Sequence, residues 1–316
     1  VRYLGRRFAF AVLLVFAVSS ASLVLARLAP GDYAAGALGI DARQETLARA
    51  RARFGLDRPL SAQYRDWIMG AARLDFGRSL LYDAPVGPLV GERARNTAVL
   101  AATALLLATV IGLPLGVVTG SRSGGLLAEA IRGCSILLLS LPPLLTSLAL
   151  VFVAARTGWL PIGGMQSIGA ARPLADRAWH LVLPAAALAL PIAAMFERLQ
   201  SQAMSETIGE PFVLAAFARG VPRPRVVWRD GLKPALRPVL AIYGLVIGTL
   251  LSGSFAVEIV TSWPGLGRLM LDALLARDIY LVAGCAAAGS MFLAAGTLLS
   301  DVALAAIDPR TAEREG

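Results

Sequence analysis

NTAVLAATALLLATVIGLPLGVVTGS, from Asn96 to Ser121, is a run of 26 residues without Asp, Glu, Lys or Arg. About 20 apolar residues in a helix cross the ~30 Å hydrocarbon core of a bilayer, so this run is long enough to span. Five more uncharged runs lie on either side of it, each bracketed by charge. They are Phe8–Ala26, Gly133–Ala155, Ala178–Phe196, Pro238–Val257 and Ile279–Ser300, none shorter than 19 residues. The spacing predicts an all-α polytopic membrane protein with six transmembrane helices.

Composition agrees. Of 316 residues, 57% are hydrophobic and 16% charged, against about 45–50% and 25% in soluble domains. Mean hydropathy is +0.67. These values exclude a disordered chain, a coiled coil and an ordinary soluble two-domain enzyme. The first run follows Arg2, Arg6 and Arg7, as a cleaved signal would. Its 19 residues exceed the 7–15-residue core of such signals, so it is read as a retained helix.

Orientation follows from Arg and Lys in the short loops. With the N-terminus cytoplasmic, the inner segments hold 14 such residues and the two short outer loops hold 5. Both ends are therefore expected inside a multi-pass inner or plasma membrane protein. The net charge of +9 is mostly this signal, with attraction to anionic membrane lipid as a by-product. No basic region accompanies a nucleic-acid-binding module, so no nucleic-acid partner is expected. The layout is 1–28 as an N-terminal membrane helix, 29–95 as an extracytoplasmic loop or cap, 96–306 as a five-helix core, and 307–316 as a cytoplasmic tail.

In the long outer loop, Asp41 with Gln44 resembles a capping box opening a helix through Phe54. Pro59 and Ser61 open another, with Tyr64, Trp67, Ile68 and Ala71 on one face. Trp67 and Tyr64 suit the membrane–water interface. The loop reads as a structured cap, and equally as a docking surface for an external partner.

The inner loop of residues 200–237 is QSQAMSETIGEPFVLAAFARGVPRPRVVWRDGLKPALR. Pro211 is suited to the first turn of a helix from Phe212 to Arg219, with Gly220 ending it. Phe212, Val213, Ala216 and Phe217 give that helix an apolar stripe. An exposed apolar ridge needs something to bury it. It packs on its own bundle, lies in the interface, or inserts into a groove on a cytoplasmic partner.

Inside the spans, Gly112, Gly116 and Gly120 form a small-residue stripe for close helix contact, within the chain or between subunits. Pro114, Pro142, Pro143, Pro184 and Pro191 interrupt backbone hydrogen bonding, which is tolerated where protein or a watery cavity meets the freed groups. Glu197, Glu258 and Asp301 end their runs and read as interfacial, leaving no ionisable group in mid-span. Cys134 and Cys285 are the only cysteines and read as small packing residues. His180 is the only histidine and, beside Trp179, reads as interfacial. No metal site, cofactor site or catalytic residue is expected. Lys233, the only lysine, lies outside any G-x-x-x-x-G-K-[ST] loop, so the chain cannot hydrolyse ATP by that route. Ser252 and Ser254 lack a base within the membrane.

FVLAAFARG (Phe212–Gly220) with VVWRDGLKPALRPVL (Val226–Leu240) resembles the cytoplasmic motif of ABC importer permeases, in which a small-residue pair precedes Gly. Here these are Ala215, Ala216 and Gly220. VEIVTSWPGLGRLMLDALLARD (Val257–Asp278) resembles the dipeptide/oligopeptide/nickel subfamily, whose signature falls on Ser262, Trp263, Pro264, Gly265, Leu266 and Gly267. FGLDRPLSAQYRDW (Phe54–Trp67), LDFGRSL (Leu74–Leu80) and the terminal IDPR (Ile307–Arg310) resemble the same subfamily. The similarity runs over almost the whole chain.

The resemblance implies a permease subunit that pairs with a second, different permease. Two ATPase subunits, which bind ATP and Mg, dock beneath. An extracytoplasmic solute-binding protein delivers peptide or a related solute. The ATPase-coupling residues carried over are Phe212, Val213, Leu214, Ala215, Ala216, Phe217, Ala218, Arg219, Gly220 and Val221. There are departures: Arg219 replaces a usual Lys, Lys233-Pro234 replaces Arg-Asn, Leu214 replaces a Glu, and Pro222, Pro224 and Pro234 stiffen the loop. Family members carry dipeptides, oligopeptides, glutathione-like compounds or chelated nickel, and the sequence does not choose among them. A stand-alone secondary transporter or channel is the alternative. Such proteins place ionisable residues in mid-membrane.

Overall fold

The structure, a computed structural model, describes residues 2–38, 44–122, 124–169 and 171–307. Asp41 of the expected capping box and residues 308–316 of the tail lie outside the described residues, as do the side chains of Ser252 and Asp301. Among the described residues there are helices and turns and no strand.

Helix α1 (Arg2–Leu28) leads into a segment of α2 (Tyr33–Leu38), α3 (Gln44–Arg53) and α4 (Leu60–Ala71). Two elements follow that matter for the membrane reading: α5 (Val86–Ser121), then α6 (Leu126–Leu139) with α7 (Pro143–Thr157). The 36-residue α8 (Pro173–Ile208) precedes α9 (Pro211–Ala218) and α10 (Arg223–Arg225). A π-helical turn (Val226–Gly231) and α11 (Leu232–Ala235) lead to α12 (Arg237–Val260), α13 (Leu266–Ala276) and α14 (Ile279–Ile307).

Four stretches are single helices long and apolar enough to cross a membrane: Ala9–Leu28, Val86–Ser121, Pro173–Ile208 and Ile279–Leu299. Two more qualify only as bent pairs. The expected third span, Gly133–Ala155, is not one helix. It is broken between α6 and α7, whose axes differ by 109°. Ser140 ends α6, and Pro142, held extended before Pro143 (ψ 148°), cannot continue a helix. Pro114, Pro184 and Pro191 sit inside unbroken helices. The second bent pair is Arg223–Ala235 with Arg237–Leu250, at 53°.

Contacts divide the chain into two units. One holds residues up to Ala98 with Pro264–Ala295; the other holds Val99–Trp263 with the residues from Gly296.

The second unit is built on α8, which packs against α6, α7, α11 and α12. Gly112, Gly116 and Gly120 face α8 within the same chain. A Cβ at Gly116 would lie 2.6 Å from Gln200 Cβ and 2.7 Å from the Glu197 carbonyl oxygen. At Gly112 it would lie 2.5 Å from the Ala193 oxygen. Only hydrogen fits there, so the backbones approach as small-residue stripes allow. Glu197 and Glu258 correct the interfacial expectation: both are buried. α8 continues eleven residues past Glu197, so the end of an uncharged run is not the end of the helix. Thr119 donates its hydroxyl to Glu197 Oε1 at 2.5 Å. Glu197 Oε2 and the side-chain amide of Gln200 are buried without a hydrogen-bond partner. This stretch therefore carries a desolvation cost that close packing must outweigh. His180 is buried too, its Nδ1 2.9 Å from the Asp176 carbonyl oxygen, while Trp179 is exposed. Cys134 is exposed, whereas Cys285 packs in the core of the first unit, so the packing role falls to Cys285 alone.

In the first unit, Trp67 is buried against Leu23 and Ala283. Tyr64 donates its hydroxyl to Ser20 Oγ of α1 at 3.0 Å. Asp32 caps α2 by accepting from the Ala35 N–H and accepts a 2.6 Å bond from Arg51 Nε of α3. Burial alone would raise its pKa; the Ala35 and Arg51 bonds, with Arg51 and Arg27 charge, outweigh burial and lower it. Asp278, fully buried, ties the segment around Ser79 to α14. Its Oδ2 accepts from Ser79 Oγ at 2.6 Å and from the Leu81 N–H at 3.0 Å, and its Oδ1 caps α14 through the Leu281 N–H.

Replacing Gly116 by Val forces α5 off α8. Overpacking of about 1–3 kcal/mol should lower the melting temperature of the purified protein, followed by intrinsic fluorescence. Gly124→Val, where a Cβ meets nothing, should leave it unchanged. Asp278→Ala strands three donors, at about 1–3 kcal/mol each. Limited proteolysis should then cut within residues 72–85 faster than in the parent protein.

Candidate functional site

The described residues hold no cluster of three His, Cys, Asp or Glu able to ligate a metal. The features that invite a partner lie instead in the loop after α8. Gly209 ends α8, and Glu210 is extended (ψ 143°). Pro211 then starts α9 at the first helical position, where its missing N–H costs nothing.

Eight residues are too few for a stable isolated helix, so α9 depends on packing and on its ends. Its C-terminal end is closed by Gly220 in the left-handed conformation (φ +78°). The Gly220 N–H bonds the Phe217 carbonyl at 2.9 Å, and the Val221 N–H bonds that of Ala216 at 3.2 Å. This is a Schellman closure with its hydrophobic contact, because Val221 packs on the cluster of Val213, Ala216 and Val226.

The expected stripe of Phe212, Val213, Ala216 and Phe217 is therefore divided. Val213 and Ala216 are buried against Val226, and Phe217 is half-buried. Phe212 and Leu214 are the exposed apolar residues, at 50% and 53%, beside exposed Ala215, Ala218 and Arg219. Trp228, on the π-helical turn, is also exposed.

The platform beneath α9 is tied to the long helices. Val227 and Ala235 pack with Val117 of α5 and with Ala203 and Met204 of α8. Arg223 donates to the Ser121 carbonyl oxygen at 2.6 Å, placing a cation at the C-terminal end of α5. Arg132 Nη2 donates to the Thr119 carbonyl oxygen, also at 2.6 Å. Neither tether was predicted from sequence, although a basic residue able to reach a helix C-terminus is the available signal.

The SWPGLG residues form a different feature, the turn between α12 and α13. Ser262 adopts φ +53° and Trp263 is buried, with its N–H on the Glu258 carbonyl at 2.9 Å. Asn96 Nδ2 donates to the Pro264 oxygen, and the Leu266 N–H bonds Thr97 Oγ1 at 2.8 Å. Gly265 caps α13. These contacts hold backbone in place and leave the coupling set on α9 as a separate group.

Residues 112–313 match the family model described as binding-protein-dependent transport system inner membrane component. Residues 1–103 match the model for the N-terminal part of such components. The chain is 30% identical over 310 residues to the oligopeptide transport system permease protein AppB of Bacillus subtilis, covering 98% of both chains. It is 32% identical to a putative peptide permease protein of Brucella suis, again with 98% of both covered. The oligopeptide transport system permease protein OppB of Mycobacterium bovis is 34% identical over 267 residues, covering 81% of this chain and 82% of the relative.

Gly220→Val should destabilise the α9 closure by about 1–3 kcal/mol through backbone strain alone, since nothing lies within 4 Å of a Cβ there. Gly220→Asn, which tolerates φ > 0 better, should cost less. Hydrogen exchange of the 211–221 amides measures both.

Proposed function

The chain belongs to the binding-protein-dependent transport system inner membrane component family, and from that premise we propose that it is a permease subunit of an ATP-driven peptide importer, worked through α9. It lies in the membrane as a transporter component rather than a catalytic enzyme. The peptide substrate rests on the names of its relatives.

The observation that carries the coupling role is the two-sided character of α9. Val213 and Ala216 fasten it to Val226, whose neighbour Val227 packs on α8, while Phe212 and Leu214 stand free. A cytoplasmic ATPase that seats Phe212 and Leu214 in a cleft grips a lever already fastened to the spans. ATP and Mg are bound by two such ATPase subunits. Their closure moves α9 as a rigid piece with the base of α8, a shift of packed helices. The path shared with a second permease then opens to the other face. A solute-binding protein outside presents the peptide. In this arrangement both termini are cytoplasmic and six spans cross the membrane, the α6–α7 and α11–α12 elbows each counting as one. The chain supplies the path and lever; ATP hydrolysis belongs to the partners.

Buried Glu197 within α8 is the observation that favours a stand-alone carrier. Uptake that continues without the ATPases, and is abolished by Glu197→Gln, decides for that rival.

Leu214→Asp places a charge on the exposed ridge without touching Val213 or Ala216. Peptide uptake and co-purification of ATPase subunits should both fall about tenfold or more, the loss of a hot-spot contact. Full retention of both overturns the coupling role of α9.

A further inference from the structure

We propose that the elbow between α9 and the foot of α12 is a binding site for the headgroup phosphate of an acidic phospholipid. A cleft of about 1200 Å³ lies there, bordered by Phe212 and Arg219 of α9, by Arg229, Asp230 and Lys233, and by Arg237 and Leu240 of α12. Four cations therefore face one carboxylate. None of the four takes part in an ion pair among the described residues. Other basic residues of the same region are already engaged: Arg223 on the end of α5 and Arg132 on the Thr119 carbonyl.

Arg229 on the π-helical turn, Lys233 on α11 and Arg237 on α12 border one cleft, so like charges from three pieces of chain share a single opening and repel one another when it is empty. A bound anion removes that repulsion. Arg presents a fork of N–H donors that matches phosphate, and Lys adds a point charge.

The place of the cleft selects the anion. The chain turns by 53° between Arg223–Ala235 and Arg237–Leu250. Arg237 is the last charge before the uncharged run Pro238–Val257, and Leu240 lies one turn inside it. The cations thus stand at headgroup level, with Leu240 on the apolar side. A free phosphate would use the cations alone; a phospholipid uses both parts of the cleft. Basic pockets at span ends take acidic headgroups for this reason. The inference needs α12 to be a membrane span. It does not need α9 to couple to an ATPase, so the two readings fail separately.

The test is native mass spectrometry of the full chain in detergent, offered phosphatidylglycerol and phosphatidylcholine with identical acyl chains. Phosphatidylglycerol should remain bound at least about tenfold better. The Arg229→Gln/Lys233→Gln/Arg237→Gln variant should lose that preference, about fivefold per charge at roughly 1 kcal/mol each. An Arg49→Gln variant, at an exposed residue of α3, should keep it. Should the triple variant misfold, photo-crosslinkable phosphatidylglycerol on the unaltered protein serves instead, with label expected within residues 212–240. Equal retention of both lipids, an unaffected triple variant, or label confined elsewhere overturns the proposal. Displacement of the lipid by millimolar inorganic phosphate assigns the cleft to a free anion, and overturns it too. So does a triple variant that keeps its lipid but loses co-purifying ATPase subunits, since the cations then serve an acidic protein surface.

Discussion

Gly112, Gly116 and Gly120 let α5 lie against α8, the helix on which the second unit is built, at a distance that no larger residue allows. In a bilayer, apolar side chains gain little by leaving lipid for another helix. Close backbone approach and dispersion therefore carry the association. The seam also brings Thr119 to Glu197, so a buried carboxylate is accepted where two helices are already in contact. α8 then extends beyond the seam to Ile208, and after Gly209 and Glu210 Pro211 starts α9. A helix of eight residues thus acquires a rigid base that its own length could not provide.

The loop from Pro211 to Leu236 is broken into short helical pieces, yet it is firmly held. Val213 and Ala216 close on Val226; Val227 and Ala235 close on Val117, Ala203 and Met204; Arg223 binds the end of α5. What stays outside is chemically simple: two large apolar residues on α9, Trp228 on the following turn, and basic residues around the elbow. Apolar and cationic features sit side by side at the foot of α12. A lever gripped from below and a boundary that senses acidic lipid are compatible uses of the same few turns.

The spans were legible because charge is expensive in hydrocarbon: the uncharged runs at Phe8–Ala26, Asn96–Ser121 and Ile279–Ser300 foreshadow helices directly. The same criterion misplaced Glu197, since a helix continues through a residue that only ends a run. It also missed the 109° break, because proline is uncharged. Pro114, Pro184 and Pro191 are absorbed within helices, whereas the adjacent pair Pro142–Pro143 after Ser140 is not. For the candidate site, Pro211 and Gly220 marked both ends of α9. Which face it buries was not readable, since Val226 lies beyond the closing turn and sequence spacing does not say where that turn aims. The partners of Trp67 were hidden for a related reason: Leu23 of α1 and Ala283 of α14 flank it, and no local spacing reveals contacts so far apart in the chain.

Asp278 joins groups 199 residues apart, and that separation has a consequence for biosynthesis. Ser79 and Leu81 leave the ribosome long before their acceptor exists. At about 5–20 residues per second, roughly 10–40 s of translation separates the two. Throughout that interval the Ser79 and Leu81 donors lack the carboxylate that they bond in the finished protein. The newly made segment is most open to proteases and chaperones then, and the latch closes only once Asp278 and the start of α14 have been made.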